Sequence, residues 1–162
     1  ISPKEYCDKS IFEREQKYLF SKIWNFVGFK NEFTQLNDFK TQEIAGIPIV
    51  VQNCNGKLKC FKNICSHRHS IIQVEDKGNR PLFCPYHGWA YNEKGLPFGI
   101  PKKPMFSFTK DEIECLKLKE FQVELIKLNG QVASGTTPKS PGQIKNLKRK
   151  LLRFFYGHLT PP

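Results

Sequence analysis

Hydrophobic and polar positions follow different periods in different parts of the chain. Between residues 10 and 24, Phe12, Leu19, Phe20, Ile23 and Trp24 recur at helical spacing. This predicts an amphipathic helix whose stripe belongs to the core. Ser10-Ile11-Phe12-Glu13 has the form of a capping box at its start. Residues 26–29 read as a strand. Residues 42–62 form a strand run centred on the β-branched stretch 47–51, and Asn55-Gly56 predicts a hairpin turn within it. Residues 81–83 and 89–91 read as short strands flanking a loop, with a turn at 92–95. Residues 99–105, rich in Pro and Lys, read as a loop, and 111–116 as one helical turn. Residues 117–128 alternate as one or two strands. The predicted fold is mainly β: antiparallel sheets, an N-terminal helix, and two hairpin loops that form a small subdomain.

After Gly130 the texture changes. Residues 133–142 are small, polar and Pro-bearing, as in a linker. Ile144, Leu147, Leu151, Leu152 and Phe155 then follow helical spacing, with Lys145, Lys148, Arg149, Lys150 and Arg153 on the other face. This predicts a basic amphipathic helix. Such a helix lies on a membrane or a partner, packs on its own domain, or begins a further one. The division expected is 1–132 as one domain and 133–162 as linker and basic tail.

The 162 residues suffice for one domain with a core, and fourteen Phe argue against overall disorder. The net charge of +11 suits nucleic acid, a membrane surface or an acidic protein partner. No nucleic-acid motif is present. The apolar stretch 47–51 is broken by Pro48 and is far too short to span a bilayer. No secretory signal opens the chain. Four of the six Cys (Cys7, Cys54, Cys60 and Cys115) are scattered without a disulfide framework, which fits small apolar thiols in a reducing, cytoplasmic compartment.

The candidate chemistry lies in the remaining two Cys. Cys65-Ser66-His67 gives a C-x-H segment and Cys84-Pro85-Tyr86-His87 a C-x-x-H segment, sixteen residues apart. Two thiolates and two imidazoles make a four-ligand metal set, with zinc and iron–sulfur as candidates. Zinc modules usually place like ligands together at each knuckle. Here each segment supplies one Cys and one His. That suits a [2Fe–2S] cluster with both thiolates on one iron and both imidazoles on the other, the Rieske arrangement.

Cys65-Ser66-His67-Arg68 and Cys84-Pro85-Tyr86-His87-Gly88-Trp89-Ala90-Tyr91 resemble the two cluster loops of the large (alpha) subunits of aromatic-ring-hydroxylating dioxygenases. Residues 1–100 resemble the N-terminal part of that family, through Tyr6, Glu15, Trp24, and the strands around Ile49 and Phe61. One departure is His69, where the family usually has Gly; the position calls for a backbone angle that Gly tolerates best, and His69 is expected to face solvent. Respiratory Rieske proteins carry an additional Cys in each loop. Ser70 and Tyr86 stand at those places here, which points to the oxygenase branch.

The resemblance implies that Cys65, His67, Cys84 and His87 bind a Rieske-type [2Fe–2S] cluster. It implies electrons arriving from a ferredoxin or flavin reductase and leaving for a mononuclear Fe(II) in a catalytic domain or neighbouring subunit, within a homotrimer in the full-length protein. That iron is held by two His and one carboxylate. Of the four His here, only His69 and His158 remain, and the family's iron motif is absent. No catalytic residue is therefore expected in this chain, which begins at Ile1 rather than Met and reads as a fragment or a separately encoded part. The alternative function is a free-standing Rieske ferredoxin, although such carriers usually begin directly with strands. Electron entry is expected at the edges of His67 and His87, with Arg68, Lys62, Lys102 and Lys103 favouring an acidic partner.

Overall fold

A computed structural model describes residues 2–127 and 150–155. After a short 3-10 turn, helix α1 (Lys9–Glu15) continues into a wider turn through Gln16–Phe20. The strands are β1 (Trp24–Phe29), β2 (Asp38–Ile44), β3 (Ile47–Cys54), β4 (Lys57–Lys62), β5 (Lys77–Asn79), β6 (Ala90–Tyr91), β7 (Pro97–Gly99), β8 (Glu120–Lys127) and β9 (Lys150–Phe155), with helix α2 (Lys110–Cys115) before β8. Seven strands form one antiparallel sheet in the order β1-β9-β8-β4-β3-β2-β5, and β6 pairs with β7. The fold is mainly β, as expected. Among the described residues no helix is long and apolar enough to cross a membrane.

Strand β3 organises the interior. Ile49, Val50 and Val51 are fully buried, so both faces of the strand are covered. Successive side chains point to opposite faces. Val50 joins a cluster with Phe39, Phe61, Ile72, Leu82 and Leu118, which also contains Cys65, Cys84, Trp89 and Tyr91. Ile49 and Val51 join Val27, Phe33, Ile44, Cys60 and Phe121 on the other face. One face of β3 thus supports the Cys-His loops, and the other closes the sheet against β1 and β8.

Two tight hairpins set this register. Asn55 and Gly56 both have positive φ (57° and 82°), as a type I′ turn requires. Ala45 and Gly46 form a second such turn (52° and 74°), which the sequence pattern did not show. Short β5 is likewise unforeseen. It is pinned to β2 by Asn79, whose amide donates to Leu36 O and Asp38 Oδ1, each at 2.8 Å.

The Cys-His loops share one backbone plan. In the first, Cys65 N donates to Ser70 O (2.8 Å) and His69 N to Cys65 O (2.9 Å), above an Ile64–Ile71 bridge. In the second, Cys84 N donates to Trp89 O (2.8 Å) and Gly88 N to Cys84 O (3.0 Å), above a Phe83–Ala90 bridge. That bridge is all that forms of the strand expected at 81–83. The fourth position after each Cys is left-handed: His69 at φ 56° and Gly88 at φ 73°. His69 is exposed, as expected.

Four expectations are corrected. The helix start is capped by Asp8, which accepts from Ser10 N at 2.8 Å, rather than by Ser10. The helix also ends by Phe20, four residues before Trp24 opens β1. Its apolar stripe is not core among the described residues, since Phe12 is 56% and Leu19 45% exposed. The fourth concerns the tail. Lys150–Phe155 is not helix but strand β9, inserted between β1 and β8 with Trp24 opposite Phe155 and Leu125 opposite Leu152. Leu151-Leu152-Arg153-Phe154-Phe155 satisfies either period locally, and two unpaired strand edges supply the backbone partners that decide it. The sheet therefore takes in a strand from beyond position 133. The remainder of the expected helix (144–149), the linker at 133–142 and His158 lie outside the described residues.

The left-handed positions generate one graded prediction. A Cβ on Gly56 meets open space, so Gly56→Ala carries only the backbone cost, about 1–2 kcal/mol. At Gly95 (φ 78°) a Cβ would lie 2.9 Å from Phe61 Cε1 and 3.3 Å from Leu118, so Gly95→Ala costs about 1–3 kcal/mol more. His69→Gly relieves strain and stabilises by up to about 1 kcal/mol. Urea unfolding should rank the four proteins His69→Gly, parent, Gly56→Ala, Gly95→Ala. Equal midpoints for the two Gly→Ala variants would contradict the packing argument.

Candidate metal centre

The plan shared by the two loops brings the four predicted residues into one place. The rings of His67 and His87 meet edge to face, with centroids 4.7 Å apart and planes at 72°. Cys65 and Cys84 are each 1% exposed, belong to the same buried cluster, and lie near enough for Cys84 to raise the Cys65 thiol pKa. The sulfurs thus lie on the core side and the half-buried imidazoles on the outer side. Among the described residues no three His, Cys, Asp or Glu side chains gather around a single point.

The electrostatics suit ligation. His67 Nδ1 is buried without a hydrogen-bond partner, a costly state that a metal would relieve. Burial, then the neighbouring His87 and Arg68, hold the His67 pKa below its ordinary value, so the ring is neutral, as ligation requires. Burial pushes the Cys65 thiol up. The Tyr91 hydroxyl pulls it down, and the neighbouring Cys84 adds to the rise. A metal would replace those protons and favour the thiolates. The donor set and the orphaned nitrogen therefore fit a Rieske-type cluster.

Tyr91, Ser66 and Trp89 complete the surroundings, and the sequence reading gave none of them a role. Tyr91 Oη lies 3.1 Å from Cys65 Sγ and 2.9 Å from Ser66 Oγ, and accepts from Ser66 N at 3.0 Å. Burial, then the bond to Cys65, keeps this phenol protonated well past the ordinary tyrosine range. Beside a thiolate, which can only accept, Tyr91 donates to sulfur and Ser66 Oγ donates to Tyr91. Trp89, 4% exposed, stacks on His67 with centroids 4.8 Å apart and planes 1° apart. The available signal was strand alternation: Trp89 and Tyr91 point to one face as the chain leaves the second loop.

The other candidates are dispersed. Arg68 and Lys102 are exposed and Lys62 is half-buried. Cys54 and Cys60 are buried, with burial raising the Cys54 thiol to about 11 and Cys60 well above its usual range. Cys7 and Cys115 are exposed, so only half of that scattered set is interior.

Comparison with known proteins places this geometry. Residues 23–121 match the Rieske [2Fe-2S] domain family. The chain is 37% identical over 97 residues to the carnitine monooxygenase oxygenase subunit of Escherichia coli (strain K12), covering 59% of this chain and 26% of that one. It is 34% identical over 127 residues to the 2-aminobenzenesulfonate 2,3-dioxygenase subunit alpha of an Alcaligenes species, covering 76% and 32%. It is also 34% identical over 103 residues to the biphenyl 2,3-dioxygenase subunit alpha of Rhodococcus jostii (strain RHA1), covering 62% and 22%. The chain thus spans between about a fifth and a third of these relatives. Among solved structures, naphthalene 1,2-dioxygenase with indole in its active site superposes with a TM-score of 0.73 at 22% identity, covering 96% of this chain and 30% of that one. A quaternary ammonium Rieske monooxygenase described in terms of carnitine oxidation and inter-subunit electron transfer gives 0.68 at 22% identity, covering 93% and 35%. With the family match running from Ile23 to Phe121 and spanning both Cys-His loops, the chain belongs to the Rieske [2Fe–2S] domain family and corresponds to the Rieske portion of oxygenase subunits.

Proposed function

We propose that Cys65, His67, Cys84 and His87 hold the [2Fe–2S] cluster, thiolates on one iron and imidazoles on the other. We propose further that the chain is the electron-transfer part of a ring-hydroxylating oxygenase component. The observation that carries this is the pairing itself: two thiols buried in one cluster, with two imidazole rings whose centroids lie 4.7 Å apart. When bound, such a cluster takes up and releases one electron. The donor would be a ferredoxin or flavin reductase, and the acceptor a mononuclear iron in a catalytic domain or a neighbouring subunit. Helix α1 ahead of the first strand, and relatives that are oxygenase subunits, support this over a free-standing carrier.

The residues divide the work. The core holds the sulfurs away from water. Trp89 fixes the plane of His67 from behind. His87 stands at the outer side beside the exposed ring of Tyr86, with centroids 3.9 Å apart. A partner can therefore approach the imidazole edges, and the exposed Arg68 next to His67 favours an acidic one.

The purified chain should contain two irons and two acid-labile sulfides; one zinc without sulfide would refute the ligand assignment. Tyr91→Phe should keep the cluster but lower its midpoint potential. A hydrogen bond to sulfur favours the more negative, reduced state. Its net worth of about 0.5–1.5 kcal/mol corresponds to roughly 20–60 mV for one electron. A redox titration showing no change, or a rise, would remove Tyr91 from this role. Reduction by a ferredoxin or reductase should slow as ionic strength rises. Stopped-flow rates indifferent to salt would discard the acidic-partner reading.

A further inference from the structure

The shared burial of the two thiols and the contact between the two rings both depend on how one loop is held against the other. The first loop returns to the sheet through residues 71–74, and the second is entered through residues 80–82. Among the described residues no β-ladder joins these two segments. Their connection is a buried polar network centred on Gln73, which is 1% exposed.

Gln73 uses its full hydrogen-bonding capacity. Its main chain pairs with the Asn63 side chain in both directions: Gln73 N donates to Asn63 Oδ1 at 2.9 Å, and Asn63 Nδ2 donates to Gln73 O at 2.8 Å. This closes the base of the first loop one step below the Ile64–Ile71 bridge. The Gln73 side chain reaches across to the second stem. Its Nε2 donates to Arg80 O and Pro81 O, both at 3.0 Å. Its Oε1 accepts from Arg80 Nε at 2.8 Å and Arg80 Nη2 at 2.6 Å, while Nη2 also donates to Ile72 O at 2.9 Å. Two donors and two lone pairs are all an amide possesses, and all four are used. Gln52 ties the knot to β3, its Nε2 donating to Arg80 O at 3.0 Å.

A hydrophobic side chain at position 73 would fill the space for stability alone. A fully saturated amide does more, because its bonds have directions as well as strength. We infer that Gln73, braced by Asn63 and Arg80, is the positioning residue that sets the first Cys-His loop against the second. It thereby fixes the approach of Cys65 to Cys84 and of His67 to His87. This inference rests on the ligand reading above only for its effect on a bound cluster; the loop-to-loop spacing can be read without one.

The test uses the whole chain with two variants, Gln73→Leu and Arg80→Lys, and one control, Glu32→Gln. Leucine removes all four side-chain bonds. Lysine keeps the charge but loses the planar fork, so it carries the same test should Gln73→Leu not fold. Glu32 pairs with Lys40 at 2.8 Å and lies outside the network, so its variant reports general loosening of the sheet. In cluster-free, reduced protein, diamide should form the Cys65–Cys84 disulfide, identified by peptide mapping, severalfold more slowly in both network variants than in the parent or Glu32→Gln. In cluster-loaded protein, the reduced-state electron paramagnetic resonance g-values should shift in the network variants and not in the control. Loss of the cluster to a chelator should quicken by about tenfold, the lower end of what losing an outer contact costs a metal site. Network variants that match the parent in cross-linking rate and spectrum overturn the positioning assignment. A parent that takes up no [2Fe–2S] cluster, but whose cross-linking still depends on Gln73, overturns the ligand reading and supports the positioning one.

Discussion

Two thiols buried in one apolar cluster are the constraint on which this structure turns. Cys65 and Cys84 belong to the same apolar cluster as Val50, Phe61, Ile72 and Leu118, so the site forms one wall of the core. Beside them His67 Nδ1 has no partner, although it is shielded from water. An unsatisfied buried nitrogen costs about 1–3 kcal/mol. Metal coordination would relieve that cost and replace the thiol protons together. Loading and folding would therefore be coupled, as in other sites whose ligands are gathered only by the native fold.

The sheet meets that constraint through β3, whose two faces serve different ends. Val50 faces the loops, while Ile49 and Val51 face the cluster containing Val27, Cys60 and Phe121. A one-residue slip of β3 would exchange these sets. The type I′ turns at Ala45-Gly46 and Asn55-Gly56 fix the register at both ends of the strand, and so fix which side chains stand behind the thiols.

The loops were the most legible part of the sequence because their chemistry is dense. Four ligand-type residues in two short segments leave few alternatives, and a closing turn after each Cys accounts for the left-handed His69. The Asn55-Gly56 hairpin was legible for a local reason, since both residues accept positive φ readily. Ala45-Gly46 was hidden because alanine does not advertise that conformation. Strand β9 was hidden because Leu151-Leu152-Arg153-Phe154-Phe155 fits either period, and edges contributed by β1 and β8, far away in sequence, decide it. The same reason conceals Tyr91 from Cys65, twenty-six positions earlier. It conceals Gln73 from Arg80 as well: an amide that saturates itself across two stems has no signature in a linear pattern.

The two loops also show how one backbone plan yields two unlike ligand positions. Both close with a bond from the fourth residue back to the Cys carbonyl and a second from the Cys amide to the fifth. The histidine, however, is the second residue after Cys65 and the third after Cys84. That single offset separates the rings' surroundings. His67 lies flat against buried Trp89, behind which Phe108 packs edge-on at 6.4 Å. His87 instead meets the exposed ring of Tyr86. One imidazole is thus oriented by the core and the other is presented outward. A cluster held by these four residues would have one imidazole braced by the core and the other beside an exposed ring, both from an offset of one residue in a repeated turn.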